Sequence, residues 1–230
     1  YFQGLRTADE QGKTPIVLPQ LDYSYVSEPK SNGSQRKLDA NFTVLTRTSS
    51  TSVVRLSTTS KWERPYVTTS GNLFRAFAAL QTDGYWVNDN YEKDSPENKI
   101  SGITGRIFPQ VGLDWRIPLA RNEVNYTQTF EPIVSVIIAP EAHNHELIPN
   151  EDSLSFEFDD TNILSENRFS GLDRVEGSPR VAYGIQTGVY GAKNGFSSLF
   201  IGQSYRLIKS DDFGTETGLN EHFSDIVGRL

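Results

Sequence analysis

Apolar and polar residues alternate along most of this chain. Over 37–47, Leu38, Ala40, Phe42 and Val44 fall on one side, and Lys37, Asp39, Asn41, Thr43 and Arg47 on the other. Successive side chains of an extended chain point to opposite faces, so the pattern predicts a strand with one greasy and one wet flank. The rhythm recurs in Val54, Leu56, Thr58, Ser60 and Trp62 against Arg55, Ser57, Thr59 and Lys61. It recurs in Phe74, Ala76, Ala78 and Leu80 against Arg75, Gln81 and Asp83, and in Ile107, Val111, Leu113, Trp115 and Ile117 against Arg106, Gln110, Asp114 and Arg116. Less regular versions lie at 20–25, 123–138, 181–189 and 199–207. Turn-forming segments at 29–35, 48–52, 68–72, 191–195 and 211–218 separate them. The pattern predicts about eight strands, with the start of another at 226–230, hence an all-β, antiparallel chain of about eight to ten strands.

Several of these runs reach about ten residues or more, whereas soluble strands typically run about 5–6 and bilayer-crossing strands about 9–11. Aromatic residues gather near the predicted strand ends (Tyr25, Trp62, Tyr66, Trp86 and Trp115 among them). Amphipathic rings favour the boundary between lipid and water, although aromatic side chains are also ordinary strand formers. Length and aromatic placement together favour a transmembrane β-barrel over a sandwich.

Composition narrows the picture further. No cysteine is present, so disulfides, thiolate metal sites and a cysteine nucleophile are excluded. The formal net charge of −7 argues against a nucleic-acid partner, whose binder carries a basic face. Residues 1–4, Tyr-Phe-Gln-Gly, look like the remnant of a cleavable expression tag, which leaves 5–230 as the native segment.

The segment 141–180 breaks the rhythm and is rich in acids. Connections this long tend to be functional or structured. Leu154, Phe156 and Phe158 suit a short strand over 153–158, and Asp160 could cap a helical turn reaching Leu164. The cluster Glu151, Asp152, Glu157, Asp159 and Asp160 could supply paired carboxylates for glycoside cleavage or oxygens for calcium. The plainer expectation is that these acids pair with Arg168, Arg174 and Arg180 and organise the segment. His143 and His145 could face one metal, but no third ligand is placed by spacing. No glycine-rich phosphate loop and no G-x-S-x-G elbow occurs. The expectation is therefore no enzyme and no cofactor. The competing reading is a soluble β-sandwich that binds or hydrolyses carbohydrate through the acidic loop 148–174.

Several segments carry a family resemblance: IVLPQLDYSY at 16–25, GRIFPQVGLDWRIPL at 105–119, TQTFEPIVSVIIAP at 127–140, FIGQSYRL at 200–207 and, above all, 148–177. The last holds Pro149, Asn150, Glu151 and Asp152, then Asp159, Asp160 and Asn162, then Asn167, Arg168, Gly171, Asp173 and Arg174. In that order and spacing it resembles the barrel domain of the LptD/OstA family of lipopolysaccharide-assembly proteins. The resemblance implies a Gram-negative outer-membrane location among outer-membrane lipids, and makes the chain part of a large transmembrane β-barrel of about 26 strands, near the top of the known range. It implies lipopolysaccharide as cargo, an LptE-type lipoprotein as plug, and an LptA-type periplasmic bridge docking on a jellyroll domain that this sequence lacks. It also implies a gate between first and last strands, which lie outside this segment, so no gate residue is carried over. The signature loop is then structural. Lys37, Arg47, Arg55, Lys61, Arg75, Arg106 and Arg116 become lumen-facing candidates, either meeting anionic lipid or simply pairing with carboxylates.

Overall fold

The computed structural model describes residues 12–48, 50–91, 99–142, 144–153, 157–209, 212–213 and 217–230. The proposed tag remnant at 1–4, His143 and the core of the expected 153–158 strand lie outside these residues.

The described chain is one antiparallel sheet without helices. Its strands are β1 (Ile16–Val26), β2 (Gln35–Thr46), β3 (Ser52–Val67), β4 (Leu73–Tyr91), β5 (Lys99–Arg116), β6 (Leu119–Asn122), β7 (Tyr126–Ile138), β8 (Arg180–Gly191), β9 (Phe196–Arg206) and β10 (Val227–Arg229). Neighbours in sequence are neighbours in space, from β1 at one open edge to β10 at the other. The exception is the short β6, which shares β7 with β5. Leu119 to Asn122 pair with the first half of β7, and β5 pairs with its second half. β5 and β6 are thus one strand run interrupted at Ile117-Pro118. A proline there cannot donate to the ladder.

Periodicity anticipated these strands apart from β6 but shortened several of them, β1 and β3 included. β4 runs to 19 residues and β5 to 18. Their shared far half, Tyr85 with Thr104 and Trp86 with Ile103, holds glycines and threonines that blur the greasy–polar contrast. The acidic segment expected at 141–180 is the β7–β8 connection, 139–179. Its turn at 160–164 is not helical. Asp159, not Asp160, makes the cap there: Asp159 Oδ1 accepts the Thr161 and Asn162 N–H groups at 2.9 and 3.2 Å. An Asx oxygen can reach donors two and three residues ahead of it, which favours the earlier aspartate.

The two faces of the sheet are treated oppositely. On β5, Ile103 and Ile107 are 82% and 71% exposed, while the alternating Arg106, Phe108 and Gln110 are buried. Leu21, Leu56, Leu80, Val111 and Ile185 join the exposed apolar row. Asn41, Ser57, Asp83, Ser135, Arg180 and Ser204 join the buried polar one. The segment 139–179 folds back over that polar face and covers it from β2 to β9, leaving the β1 edge open. Apolar studs fasten it there. Ile148 packs with Val53, Tyr85 and Val87; Val175 packs with Phe108 and Ala139; Ile163 packs with Ala182 and Phe200. No second sheet covers the greasy face among the described residues, so the sandwich alternative fails on architecture. A two-layer fold buries its apolar rows against each other.

Candidate functional site

The polar face and its covering segment form a continuous charged seam in which wall cations meet loop anions. Alternation along β2 to β5 aims Arg47, Arg55, Lys61, Arg75 and Arg106 at the same side, and the loop lays its carboxylates across them. Arg47 grips Glu151 with both terminal nitrogens, at 2.8 and 2.6 Å. Arg55 Nη1 sits 2.5 Å from Asp152 and 2.7 Å from Asp173. Lys61 and Arg75 share Glu166 at 2.7 and 3.0 Å. Arg106 donates twice to its cross-strand partner Asp83, at 2.8 and 2.6 Å, and reaches the carbonyls of Leu172 and Asp173. Lys37 pairs with Asp39 on the exposed part of the same face, and Arg116 stands 3.6 Å from Glu131.

The signature residues work mainly on backbone. Asn150 closes a turn by bonding both the N–H and the carbonyl of Ser153. Asp152 caps the N–H groups of Leu172 and Asp173, both at 3.1 Å. A Cβ on Gly171 would lie 2.1 Å from Asp152 Oδ1, so only glycine lets the two strips of loop close. Asn167 ties Phe169, Arg174 and Glu176 together through their backbones. Asn162 donates to the Glu157 carbonyl, and Arg174 to that of Ile148 beside buried Pro149. Asp160 reaches Arg229 of β10 at 3.1 Å.

The expected pairing of the loop acids with Arg168, Arg174 and Arg180 is not what forms. Glu151 and Asp152 take the wall cations Arg47 and Arg55 instead, Asp160 takes Arg229, and Asp159 caps backbone N–H groups. Arg168 and Arg180 converge with Arg206 on Glu176, at 3.3, 3.5 and 2.6 Å. Glu176 and its three arginines are all almost completely buried. Asp212 stands behind them, 3.7 Å from Arg206. Sequence reading passed over Glu176, Glu166 and Asp83 as binding points. Asp83 was visible on a polar flank, but its partner depends on register. Glu176 carried no periodic signal at all.

Burial sets the charge states of this seam. Asp173 is pushed above the ordinary carboxylate range by burial and by the nearby Asp152, against the pull of Arg55. Asp152 is also desolvated, yet the backbone N–H groups of Leu172 and Asp173, with Arg55, hold it below that range. Burial pushes the Arg168 guanidinium down to about 10, with Glu176 opposing. Among the described residues no cluster of histidines and acids is placed to hold a metal ion. His145 is exposed and accepts the Leu147 N–H. A cavity of about 390 Å³ remains between wall and loop, lined in part by Lys61, Arg75, Gln110 and Glu166. Its cations already hold carboxylates.

A sheet of long antiparallel strands, bare and greasy outside and covered by a charged loop inside, is built as a transmembrane β-barrel wall. The sequence model of the LptD family, described as LPS transport system D, matches residues 1–230. The chain belongs to that family. It is 25% identical over 182 residues to the LPS-assembly protein LptD of Albidiferax ferrireducens, covering 70% of this chain and 23% of that protein. It is 26% identical over 213 residues to the LPS-assembly protein LptD of Shewanella oneidensis, covering 89% and 27%. The protein of the same name in Histophilus somni is 26% identical over 215 residues, covering 83% and 26%. The chain thus spans about a quarter of the length of these relatives.

Proposed function

We infer that this chain is a stretch of barrel wall in an outer-membrane protein that delivers lipopolysaccharide to the outer leaflet. On this reading 139–179 braces the wall and carries out no chemical step. The carrying observation is the inverted sidedness: apolar rows face outward, and charged rows are buried beneath the chain's own loop. Lipid supplies the missing cover for the apolar rows, and a closed barrel satisfies the open edges of β1 and β10. The names of the relatives support lipopolysaccharide as cargo. An LptE-type lipoprotein plug and an LptA-type periplasmic bridge are the partners this reading assigns to the full-length protein.

The wall cations serve this brace. Arg47, Arg55, Lys61, Arg75 and Arg106 are engaged by carboxylates and offer little to a passing anionic lipid. Lys37 and Arg116 are the loosely held ones, and their replacement by alanine should leave transport unchanged. The deciding experiment deletes 151–174 from the full-length protein. Loss of the mature, heat-modifiable barrel from the outer membrane is expected. Normal assembly with lost transport would contradict the structural role of the loop.

A further inference from the structure

Both long connections lie at one end of the sheet. That end carries 139–179 and 207–226 beside the shorter 47–51 and the β4–β5 connection; the other carries only 27–34, 68–72, 123–125 and 192–195, none longer than eight residues. Outer-membrane barrels keep short turns on the periplasmic side and longer loops outside. The short-turn end therefore faces the periplasm and the inner leaflet, which in an outer membrane is glycerophospholipid. This orientation rests on the barrel-wall reading above.

The outward face at that end carries two cations with no counter-charge. Arg36 pairs across the ladder with Trp62, and Arg64 with Ala76. Trp62 stands opposite to Lys61, and Ala76 opposite to Arg75, both of which reach the loop on the inner face. Arg36 and Arg64 therefore point outward, and both are exposed. Among the described residues neither has a carboxylate within ion-pair distance. Glu63 is turned inward to Lys61, and Glu28 in the neighbouring turn pairs with neither. By contrast Arg121, at the same end, is matched by Glu123 at 2.8 Å.

Register makes Arg36 and Arg64 diagonal neighbours, with Cα atoms about 7–8 Å apart, within reach of one group held between long side chains. Aromatic rings frame them: Trp62 between the two, then Tyr25, Tyr66, Phe74 and Trp115 on the same face. Trp115 Nε1 is anchored to Asn72 Oδ1 of the β3–β4 turn at 2.9 Å. From Phe74 to Trp86 at the other end, β4 rises roughly 40 Å, or roughly 30 Å along the normal at a tilt of about 40°. That is the thickness of a hydrocarbon core. Arg64 and Arg36 lie level with Ala76 and Ala78, two and four residues inside Phe74, so their long stems snorkel along the strand to carry the guanidiniums toward the headgroups.

We propose that Arg36 and Arg64, with Trp62 between them, form a clamp for the phosphate of an anionic glycerophospholipid in the periplasmic leaflet. Two guanidiniums present parallel N–H donors to phosphate oxygens, and the indole packs against the glycerol and upper acyl chain. Bound lipid fixes the height of this wall in the bilayer.

The test uses the full-length protein in phosphatidylcholine nanodiscs doped with phosphatidylglycerol, with retained lipid counted by native mass spectrometry. At about fivefold per surface cation, Arg36→Gln with Arg64→Gln should lower phosphatidylglycerol retention roughly 25-fold. Arg121→Gln should leave it unchanged. Retention unaltered in the double variant, or equally reduced by Arg121→Gln, overturns the clamp. The Trp62-dependent fluorescence, wild type minus Trp62→Phe, is measured alongside with headgroup-brominated lipid. Quenching that persists in the double variant shows the face still in lipid, so lost retention then belongs to the arginines. No quenching in the wild type overturns both the clamp and the membrane-facing reading beneath it.

Discussion

Glu176 is the point at which the loop has most to lose. Its carboxylate is fully buried and faces the guanidiniums of Arg168, Arg180 and Arg206 at 3.3, 3.5 and 2.6 Å. Each contact represents a gross attraction of about 5 kcal/mol at an effective dielectric of about 20. Desolvation of the charges and repulsion among the arginines offset most of that sum. Removing the anion alone lifts the attraction and leaves those opposing terms in place. Breaking a buried pair this way typically costs about 3–5 kcal/mol. Glu176→Ala should reach the upper end of that range, since it strands more than one cation. Glu176→Gln keeps volume and an acceptor but loses the charge, and should fall toward the lower end. Pairing Glu176→Gln with Arg206→Met removes one stranded cation and should recover part of the loss. The assay is hydrogen–deuterium exchange over 157–179 in the full-length protein in detergent, together with its thermal unfolding. Wild-type protection and an unchanged transition in Glu176→Ala would refute the idea that this charge centre holds the loop down.

Other outcomes follow from the same geometry. Gly171→Ala drives a methyl into Asp152; an overpacking cost of about 1–3 kcal/mol should appear as faster proteolysis within 150–174. Acidification should act in two stages. Asp173 is raised, so its ionised form works against folding near neutrality, and that penalty is relieved as pH falls through its raised folded value. Asp152 is lowered, so its contribution is full above its unfolded pKa and is lost as pH falls below about 4 toward its folded value. Loop protection measured against pH should therefore hold or rise slightly from neutrality, then drop at the acid end. Asp152→Asn should abolish that drop. On the barrel-wall reading proposed above, Ile107→Lys places a charge in lipid at a cost of about 2–4 kcal/mol near the midplane, and assembly into the outer membrane should fall. The adjacent Arg106→Ala should fail for the opposite reason, by leaving Asp83 buried and unpaired.

Much of this was legible before any coordinates. Period two in 37–47 and 54–62 put Leu38 and Leu56 on one flank and Lys37, Arg55 and Lys61 on the other, and the sheet keeps that division. The antiparallel arrangement was expected too, and in the sheet sequence neighbours lie side by side, as short turns between antiparallel runs favour. The family resemblance singled out Asp152, Gly171 and Asp173, which do meet. It could not say that Asp152 would cap the backbone beside Gly171.

Alternation alone determined which residues share a face, since it is a local property of extended backbone. Which face is buried, and by what, was decided only in three dimensions. Burial depends on where a long connection returns, and no periodic signal in 139–179 encodes a docking surface. The charge partners were settled at the same level. Arg47 meets Glu151, and Arg206 meets Glu176, across stretches of chain whose separation carries no pattern. Ion pairing is governed by distance through space and by desolvation, and both exist only after the loop has closed over the wall.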